Sequence, residues 1–303
     1  MGLDTVKTPF GRVQDSLGGS ATYFSYAASF FSPVKLVAVV GEDFPREHVD
    51  LLARRGIDLK GLQRLPGRTF RWSGSYEFDL NEARTLATEL NVFESFRPQI
   101  PPALQETPFV FLANIDPELQ LDVLKQARQP RLVACDTMNL WIKIKPAKLR
   151  EVLERVHIFI LNDGEARQLT GQSSLIKAGR TLLKWGPSIV VIKKGEHGAF
   201  LLTEGRFFAV PAFPLEEVYD PTGAGDCFAG GFFGSLVRDG GSLEETALRR
   251  AVVFGTVMAS FNVEKFSLER LKTLTDAEIF SRYRQFIQMT HFEDSDMRET
   301  APR

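Results

Sequence analysis

The chain has 303 residues, of which 44% are hydrophobic and 25% are charged, and its formal net charge is −1. This balance is that of an ordinary globular protein, and the length allows one large α/β domain or two smaller ones. Because the net charge is close to zero, no broad positive field attracts nucleic acid or an acidic membrane surface, and neither partner is predicted.

Apolar runs of strand length alternate with amphipathic stretches of helical period along most of the chain. The predicted strands are, in chain order, residues 36–40, 109–113, 131–135, 158–161 and 189–192. The predicted helices between them are residues 46–55, 119–128, 147–155, 164–170 and 174–185. Continuous apolar strands separated by helices indicate a parallel sheet covered on both faces. Ligands bind such sheets beyond the carboxyl ends of the strands. The polar residues to inspect there are Asp43, Asn114, Asp136, Asn139, Asn162 and Lys193.

Segments that do not follow this alternation of apolar strands and amphipathic helices predict a smaller second sheet. Residues 69–77 and 84–91 alternate polar and apolar side chains like short strands, and residues 3–13 form a third such piece. We predict a single domain over residues 1–303, with lid segments at about 3–13 and 68–96. On pattern alone, a lid and a surface hairpin without function are equally supported. Residues 243–263 and 268–288 are predicted to be helical, and residues 290–303 a frayed polar tail.

The cysteine, histidine and N-terminal patterns exclude a zinc site and a secretory signal. Cys135 and Cys227 lie in apolar stretches without metal-type spacing, which favours reduced core cysteines in a cytosolic protein. The four histidines form no H-x-x-x-H pair. The first twelve residues lack the apolar core of a signal peptide, and the longest apolar runs are too short to span a bilayer. A cytoplasmic location is therefore predicted.

A glycine-rich loop at residues 220–231 reads D-P-T-G-A-G-D-C-F-A-G-G and precedes an apolar helix predicted over 227–237. Its small residues let backbone N–H groups turn toward one point, and a helix beginning at about Asp226 adds its free amides. Such a pocket suits the anion of a phosphoryl transfer. Asp226 would be either the base that accepts a hydroxyl proton or a plain helix N-cap, and the loop alone leaves both open. The loop is neither a Walker A motif nor a dinucleotide fingerprint.

This segment resembles the C-terminal signature of the PfkB/ribokinase family of carbohydrate kinases. Further segments resemble family motifs in the family's order, which makes the resemblance collinear over roughly residues 4–270. They are the paired glycines at 18–23, V-G-E-D at 40–43, N-D-G-E at 162–165 and I-K-K-G-E-H-G-A at 192–199. The resemblance implies a ribokinase-like three-layer α/β/α core with a mostly parallel sheet and a small β-sheet lid. It also implies ATP-dependent phosphorylation of a hydroxymethyl group of a sugar or sugar-like molecule, with Mg²⁺.

The resemblance assigns roles on the phosphate side of the site. Asp226 matches the catalytic base, and the amides of Gly223, Ala224 and Gly225 match the anion hole. Asn162 and Glu165 match residues that organise Mg²⁺ and the ATP phosphates, largely through water. The remaining matches, which form the wall of the nucleotide site and the helix over the adenine, are Lys193, Gly195, Gly198 and Gly255. For the glycines, a simple turn or close helix packing explains the sequence equally well.

On the acceptor side, Asp4 matches the aspartate that holds substrate hydroxyls, and Gly18 and Gly19 would let the substrate approach the backbone. Asn139 matches a D-x-N segment near the substrate. Tyr23 replaces the usual asparagine, which predicts a different or larger substrate.

Two further departures concern the acceptor and the start of the fold. Leu140 and Trp141 stand where an arginine often follows, although Arg71 in the lid could substitute for it. Only three residues precede Asp4, where the family has its opening strand.

Two alternatives to a sugar kinase remain open. One is a nucleoside kinase of the adenosine or cytidine type, favoured by aromatic residues such as Tyr23, Trp72 and Trp141. The other is a non-catalytic protein that binds a sugar or nucleotide. In some family members lid strands pair between subunits, so the resemblance also allows a homodimer through the lid.

Overall fold

The computed structural model describes residues 1–81 and 83–291. The strands of this part of the chain are β1 Gly2–Thr8, β2 Gly11–Gly18, β3 Lys35–Gly41, β4 Asp58–Leu65, β5 Phe70–Ser75, β6 Arg84–Glu89, β7 Phe109–Leu112, β8 Leu132–Asp136, β9 Ile158–Asn162, β10 Ile189–Lys193, β11 Ala199–Thr203 and β12 Arg206–Val210. The α-helices are α1 Ser20–Ala28, α2 Arg46–Arg54, α3 Pro117–Gln126, α4 Asn139–Ile144, α5 Pro146–Leu153, α6 Asp163–Thr170, α7 Leu175–Leu183, α8 Ala224–Arg238, α9 Glu245–Asn262 and α10 Asp276–Thr290.

The main sheet has six strands in the order β12-β11-β10-β9-β8-β7. Strands β7 to β10 are parallel, whereas β11 and β12 complete the sheet in antiparallel fashion. The predicted α/β fold with a mostly parallel sheet is therefore confirmed. Strands β8, β9 and β10 are direct neighbours, so their carboxyl ends meet at one edge.

Each central strand of the main sheet is buried on both faces. In β9, Ile158 and Ile160 point into the core that includes α8 and α9, while Phe159 and Leu161 point into the core under α5 and α7. Burying a side chain of this size contributes about 1.5–3 kcal/mol. Such burial on both sides explains why the strand reads as an unbroken apolar run.

The second sheet has four strands in the order β2-β1-β5-β6. Strand β1 runs antiparallel to β2 and parallel to β5, with Asp4 opposite Trp72. These strands fall largely within the two segments expected to form a lid, although β2 continues to Gly18. The outer strand β6 is exposed along its whole length.

Strand β3, predicted as part of the main sheet, instead forms a separate parallel pair with β4. Within the described residues, no hydrogen-bonded ladder joins β3 to β7, the nearest edge of the main sheet in chain order. The amino group of Met1 donates to the carbonyl of Val39 in β3 at 3.4 Å. Helix α1 packs against the main sheet, where the ring of Phe24 stacks on that of Phe111 at 3.9 Å.

One predicted helix start was wrong, and two strands were not predicted. The predicted helix 268–288 begins only at Asp276, because Thr275 and Glu278 form a capping box that fixes the helix start there. The strands β11 and β12 were not predicted, although the simple turn considered for Gly195 and Gly198 agrees with the antiparallel pairing of β10 and β11. The predicted tail lies outside the described residues from 292 onward. None of the described helices is long and apolar enough to cross a membrane.

Candidate active site

The glycine-rich loop turns directly into helix α8. Gly223 is the N-cap of α8 and has a left-handed backbone with φ of 77°. A Cβ at this position would also overlap the ring of Tyr23, so both the backbone and the packing require glycine. The amide of Ala224 donates to the carbonyl of Pro221 at 3.1 Å and is engaged within the loop. Of the three amides expected to bind an anion, those of Gly223 and Gly225 remain as donors at the helix N-terminus.

Asp226 is the third residue of α8 and not its N-cap, because the helix begins two residues earlier than predicted. The N-cap interpretation of Asp226 is therefore wrong. Burial raises the pKa of Asp226 to about 7, and the nearby Asp136 carboxylate adds to this shift. Lys193 and a hydrogen bond from Ser20 act in the opposite direction. A carboxyl group that titrates near neutral pH is suited to accept and release a proton.

A lysine and an aspartate from neighbouring parts of the sheet meet beside this loop. Lys193, at the end of β10, donates from Nζ to Oδ2 of Asp136, at the end of β8, over 3.0 Å. The amide of Thr137 donates to the other oxygen of Asp136 at 2.8 Å. Burial opposes the charge on Lys193, but Asp136 and the other carboxylates raise its pKa above the ordinary value. A Cβ on Gly225 would lie 3.1 Å from Nζ of Lys193, so this positive charge faces the anion loop.

Asn162 and Glu165 form a reciprocal capping box at the start of α6. The Asn162 side chain accepts from the amide of Glu165, and the Glu165 carboxylate accepts from the amide of Asn162, both at 2.7 Å. A capping role alone would leave the glutamate in solvent, but Glu165 is only 8% exposed. Burial and then the charge of Asp136 raise the pKa of Glu165 to about 7. Glu165 thus belongs to the same charged cluster as Lys193 and Asp226.

Asp4 and the paired glycines form a second pocket wall. Asp4 is 4% exposed, and its Oδ2 accepts from the amide of Gly19 at 3.3 Å. A Cβ at Gly18 would overlap the Asp4 carboxylate, so this glycine makes room for the acid itself. Burial raises the pKa of Asp4 to about 7, the Gly19 amide lowers it, and the charge of Asp220 raises it further. The charge of Asp226 also raises the pKa of Asp4.

Several predicted site residues lie elsewhere or in structural roles. Tyr23 is 1% exposed and lies in the main core, with its ring against Gly223. It therefore does not line an open pocket. Gly255 lies between α8 and α9, and a Cβ there would be 2.9 Å from the carbonyl oxygen of Phe228. Both positions therefore serve close packing, the alternative that the sequence left open for Gly255.

The other two glycines and Asn139 differ in their exposure. Gly195 is exposed in the turn after β10, whereas Gly198 is buried against the backbone of β12. Asn139 is exposed at the first position of α4. The structure therefore brings Asp226, Lys193 and Glu165 together. Asn139 is instead joined through its carbonyl to Gln168 of α6.

Arg71 does not take the place of the missing arginine. Its guanidinium forms ion pairs with Asp15 and, over 2.9 Å, with Asp43. Asp43 also accepts from the amide and hydroxyl of Thr69 at 2.6 and 2.7 Å. Asp43, the aspartate of the V-G-E-D motif, thus holds the backbone just before strand β5. The charge of Arg71 is already paired and is not available to a substrate anion.

Three residues near the pocket were given no role from the sequence, although Ser20 lies in the paired-glycine segment and Asp220 begins the glycine-rich loop. Ser20 lowers the pKa of Asp226, and Asp220 holds the anion loop by accepting from the amide of Thr222 at 2.9 Å. Tyr76, just after β5, accepts from the hydroxyl of Thr222 at 3.3 Å. The alternating pattern predicted a strand around Tyr76 but carries no signal for which residue reaches the anion loop.

The raised pKa values predict that the protein loses stability as the pH rises. Asp4, Glu165 and Asp226 have pKa values of about 7 in the folded state and about 4 when unfolded. Between these values the folded state binds more protons, so the free energy of unfolding falls with pH. We expect a fall of about 1.4 kcal/mol per pH unit for each such group between pH 5 and 6.

Urea unfolding of the ligand-free protein at several pH values would measure this slope. The window ends at pH 6 because the buried Met1 amino group, whose pKa is lowered to about 6 by burial, has the opposite effect above it. Asp4→Asn should lower the slope by about a third, because it removes one of the three groups, whereas Asp163→Asn, at the first position of α6, should leave it unchanged. A stability that stays level or rises between pH 5 and 6 would contradict the raised pKa values.

Comparisons with known proteins identify the family of this chain. The family described as pfkB family carbohydrate kinase matches residues 4–273. The cytidine kinase of Thermococcus kodakarensis is 35% identical over 251 residues, which cover 80% of this chain and 88% of that protein.

Two solved structures share the fold. The nucleoside kinase of Methanocaldococcus jannaschii has a TM-score of 0.75 and 21% identity, with 94% of this chain and 95% of that one covered. A putative ribokinase II from E. coli, in complex with ATP and Mg²⁺, has a TM-score of 0.74 and 20% identity, with 93% and 96% covered. Because the family match spans most of the sequence and includes the collinear motifs, this chain belongs to the pfkB family of carbohydrate kinases.

Proposed function

We propose that this kinase transfers the γ-phosphoryl group of ATP to the hydroxymethyl group of a nucleoside. The observation that carries the chemistry is the position of Asp226, beside the free amides of α8 and within the cluster that contains Lys193. A base and an anion pocket at the same point are what an attack of a hydroxyl on a phosphate requires.

The transfer itself follows from these groups. The acceptor O–H bond breaks and its proton passes to the carboxylate of Asp226, while the acceptor oxygen forms a bond to the γ-phosphorus. The bond between that phosphorus and the oxygen of ADP breaks, and ADP leaves. The amides of Gly223 and Gly225 and the ammonium of Lys193 stabilise negative charge on the transferred group, because they are held in place before the reaction.

Asp4 is the residue that we propose holds the acceptor. An ionised carboxylate only accepts hydrogen bonds, so it suits a pair of hydroxyl groups on a ribose ring. Held beside the paired glycines, Asp4 would orient such a ring with its hydroxymethyl group toward the base. Gly18 and Gly19 keep the Asp4 carboxylate in place and leave the backbone open beside it.

Glu165, with Asn162, would hold Mg²⁺ beside the ATP phosphates. The buried cluster sets three carboxyl groups, Asp136, Glu165 and Asp226, against the single ammonium of Lys193, and this excess of negative charge suits a divalent cation. In residues 1–81 and 83–291, no three His, Cys, Asp or Glu side chains are grouped to hold a metal ion. The fit is therefore to an ion that keeps several waters and takes phosphate oxygens. When bound, Mg²⁺ offsets the charge of the phosphates.

A nucleoside is preferred over a free sugar because of the relatives. The relative with 35% identity is named a cytidine kinase, and one of the similar structures is named a nucleoside kinase. The lid also carries Trp72 opposite Asp4, where a planar base attached to the ribose would lie against an aromatic ring. A homodimer through the lid stays a prediction, supported by the exposed edge strand β6 and testable by the mass of the protein in solution.

A panel of acceptors with Mg-ATP tests the substrate class. We expect at least one of cytidine, adenosine and inosine to be phosphorylated with a kcat/KM about tenfold or more above that of ribose or fructose, because base contacts add to the ribose contacts. Release of ADP, coupled to a spectrophotometric assay, measures the rates. Asp4→Asn should raise the KM of the acceptor far more than that of ATP.

Two outcomes would contradict this proposal. If a free sugar were the best acceptor, the protein would be a sugar kinase, as its family name suggests. If ligands raised the melting temperature but none was phosphorylated, the protein would be a non-catalytic binding protein. Asp122→Asn, an exposed change on the distant helix α3, provides the matched control.

A further inference from the structure

Tyr76 lies at the junction of the lid and the anion loop. It follows β5 directly, and its amide donates to the carbonyl of Lys7 in β1 at 2.8 Å. The parallel register of β1 and β5 continues to this point, so Tyr76 lies on the same face of the lid sheet as Asp4 and Trp72. The backbone of the lid therefore directs this side chain toward the acceptor side of the site.

The hydroxyl of Tyr76 contacts the anion loop. Thr222, one residue before Gly223, donates from Oγ1 to Oη of Tyr76 over 3.3 Å. Since Tyr76 accepts this hydrogen bond, its own proton remains available to donate into the pocket. Burial and then the charges of Asp220, Asp4 and Asp226, against the hydrogen bond from Thr222, raise the pKa of Tyr76 to about 12. The phenol therefore stays protonated at every pH at which the enzyme would be assayed.

The chain beyond Tyr76 is held at its other end by the nucleotide side of the site. Asn81 donates from Nδ2 to the carboxylate of Glu196 at 3.0 Å, and its Oδ1 accepts from the Glu196 amide at 3.3 Å. Glu196 lies in the turn after β10 that contains Gly195. Residues 76–81 thus connect the acceptor side to the nucleotide side, and Tyr76 is anchored within that connection.

The chemistry around Tyr76 leaves one function unassigned. Asp4 and Asp226, when ionised, only accept hydrogen bonds, so they cannot hold an acceptor oxygen that has no proton to give. Tyr76 is a neutral donor whose hydroxyl is held at the anion loop by Thr222. Its side chain is half-buried, and a covered site excludes the water that would otherwise compete with the acceptor for the γ-phosphate.

We propose that Tyr76 is an acceptor-binding residue: its hydroxyl, held by Thr222 beside the anion loop, donates to an oxygen of the acceptor, and its ring keeps water from Asp226. This inference rests on the proposed kinase reaction. It assigns to one lid residue both the binding of the acceptor and the coupling of ATP consumption to acceptor phosphorylation.

Two substitutions separate these roles. Tyr76→Phe keeps the ring and removes the donor, so we expect the KM of cytidine to rise about five- to twentyfold while the KM of ATP stays within twofold. Tyr76→Ala also removes the cover, so we expect a several-fold larger share of ATP to be hydrolysed by water, which yields ADP and phosphate without phosphorylated cytidine. The ratio of ADP to phosphorylated cytidine measures this share.

Tyr219→Phe is the matched control, because it removes a phenolic hydroxyl that bonds Glu217 at 2.9 Å just before the same loop. It should change neither KM nor the product ratio. Unchanged cytidine KM in Tyr76→Phe, with an unchanged product ratio in Tyr76→Ala, would overturn the inference. Calorimetric binding of cytidine and of ribose to the wild type and Tyr76→Phe provides the same comparison without turnover. An inactive wild type whose cytidine affinity still falls in Tyr76→Phe would refute the kinase reaction and retain the binding role.

Discussion

Asp226→Asn is expected to lower kcat by about a thousandfold or more, while ATP binding stays within a few-fold of the wild-type value. General base catalysis contributes about 10²–10⁴ to the rate, and asparagine has the shape of aspartate without its basicity. The position of residue 226 at the third residue of α8 keeps the amides of the anion loop unchanged. Coupled ADP release measures kcat, and calorimetry measures ATP affinity.

The loss should not come from unfolding. The pKa of Asp226 is raised by burial and by the Asp136 carboxylate, so the ionised acid is destabilising, and its replacement should leave stability at pH 8 equal or slightly higher. Asp239→Asn, which removes a carboxylate from the far end of the same helix, should keep turnover within about twofold. A rate for Asp226→Asn within tenfold of wild type would exclude this residue as the base.

The part of the site at the carboxyl ends of the strands was predictable from the sequence. Apolar runs that end in Asp136, Asn162 and Lys193 indicate strands buried on both faces, and parallel strands place their ends at one edge. The sequence does not contain the order of the strands. The ion pair between Lys193 and Asp136, which reaches across β9, depends on that order and was not predicted.

The predictions that were wrong depend on packing between distant segments. Tyr23 and Gly223 are two hundred residues apart in the chain, and only the folded structure places the tyrosine ring beneath the loop. The small residues of α9 were compatible with both cofactor contact and helix packing. At Gly255 the close approach of the Phe228 backbone of α8 shows that the glycine serves helix packing. Some partners are near in sequence and were still not predicted, as in the capping box of Asn162 and Glu165, whose spacing the N-D-G-E segment contains.

In the lid, too, the sequence predicted the individual strands but not the contacts between distant segments. Alternation of polar and apolar residues predicted short strands, because one face of this sheet is in solvent. It did not predict that β1 pairs with β5 in parallel, which places Tyr76 and Asp4 on one face. Nor did it predict that Arg71 would be neutralised by Asp15 and Asp43. These residues come together only when β2 and β5 join the same sheet and that sheet meets the loop after β3.

Lys193→Met is expected to lower the free energy of unfolding by about 3–5 kcal/mol at pH 8, because it leaves the buried carboxylate of Asp136 without its partner. The Asp136 side chain is 5% exposed, and the hydrogen bond from Thr137 compensates only one of its oxygens. Urea unfolding at pH 8 measures the loss. The loss should become smaller toward pH 5, because an unpaired buried carboxyl group takes up a proton instead of remaining charged.

A second substitution separates the stabilising role of Lys193 from its role at the phosphate. Asp136→Asn combined with Lys193→Met removes both charges and should recover most of the lost stability, since no unpaired charge remains. Turnover should stay low in the double variant, because the ammonium beside Gly225 is still missing from the anion loop.

Lys194→Met is the control at the neighbouring position, where the ammonium lies 3.9 Å over the ring of Phe200. It should lower the free energy of unfolding by about 1 kcal/mol or less. A double variant as unstable as Lys193→Met would show that Asp136 is not the group that Lys193 stabilises. Wild-type turnover in a stable double variant would show that the loop amides bind the phosphate without the lysine.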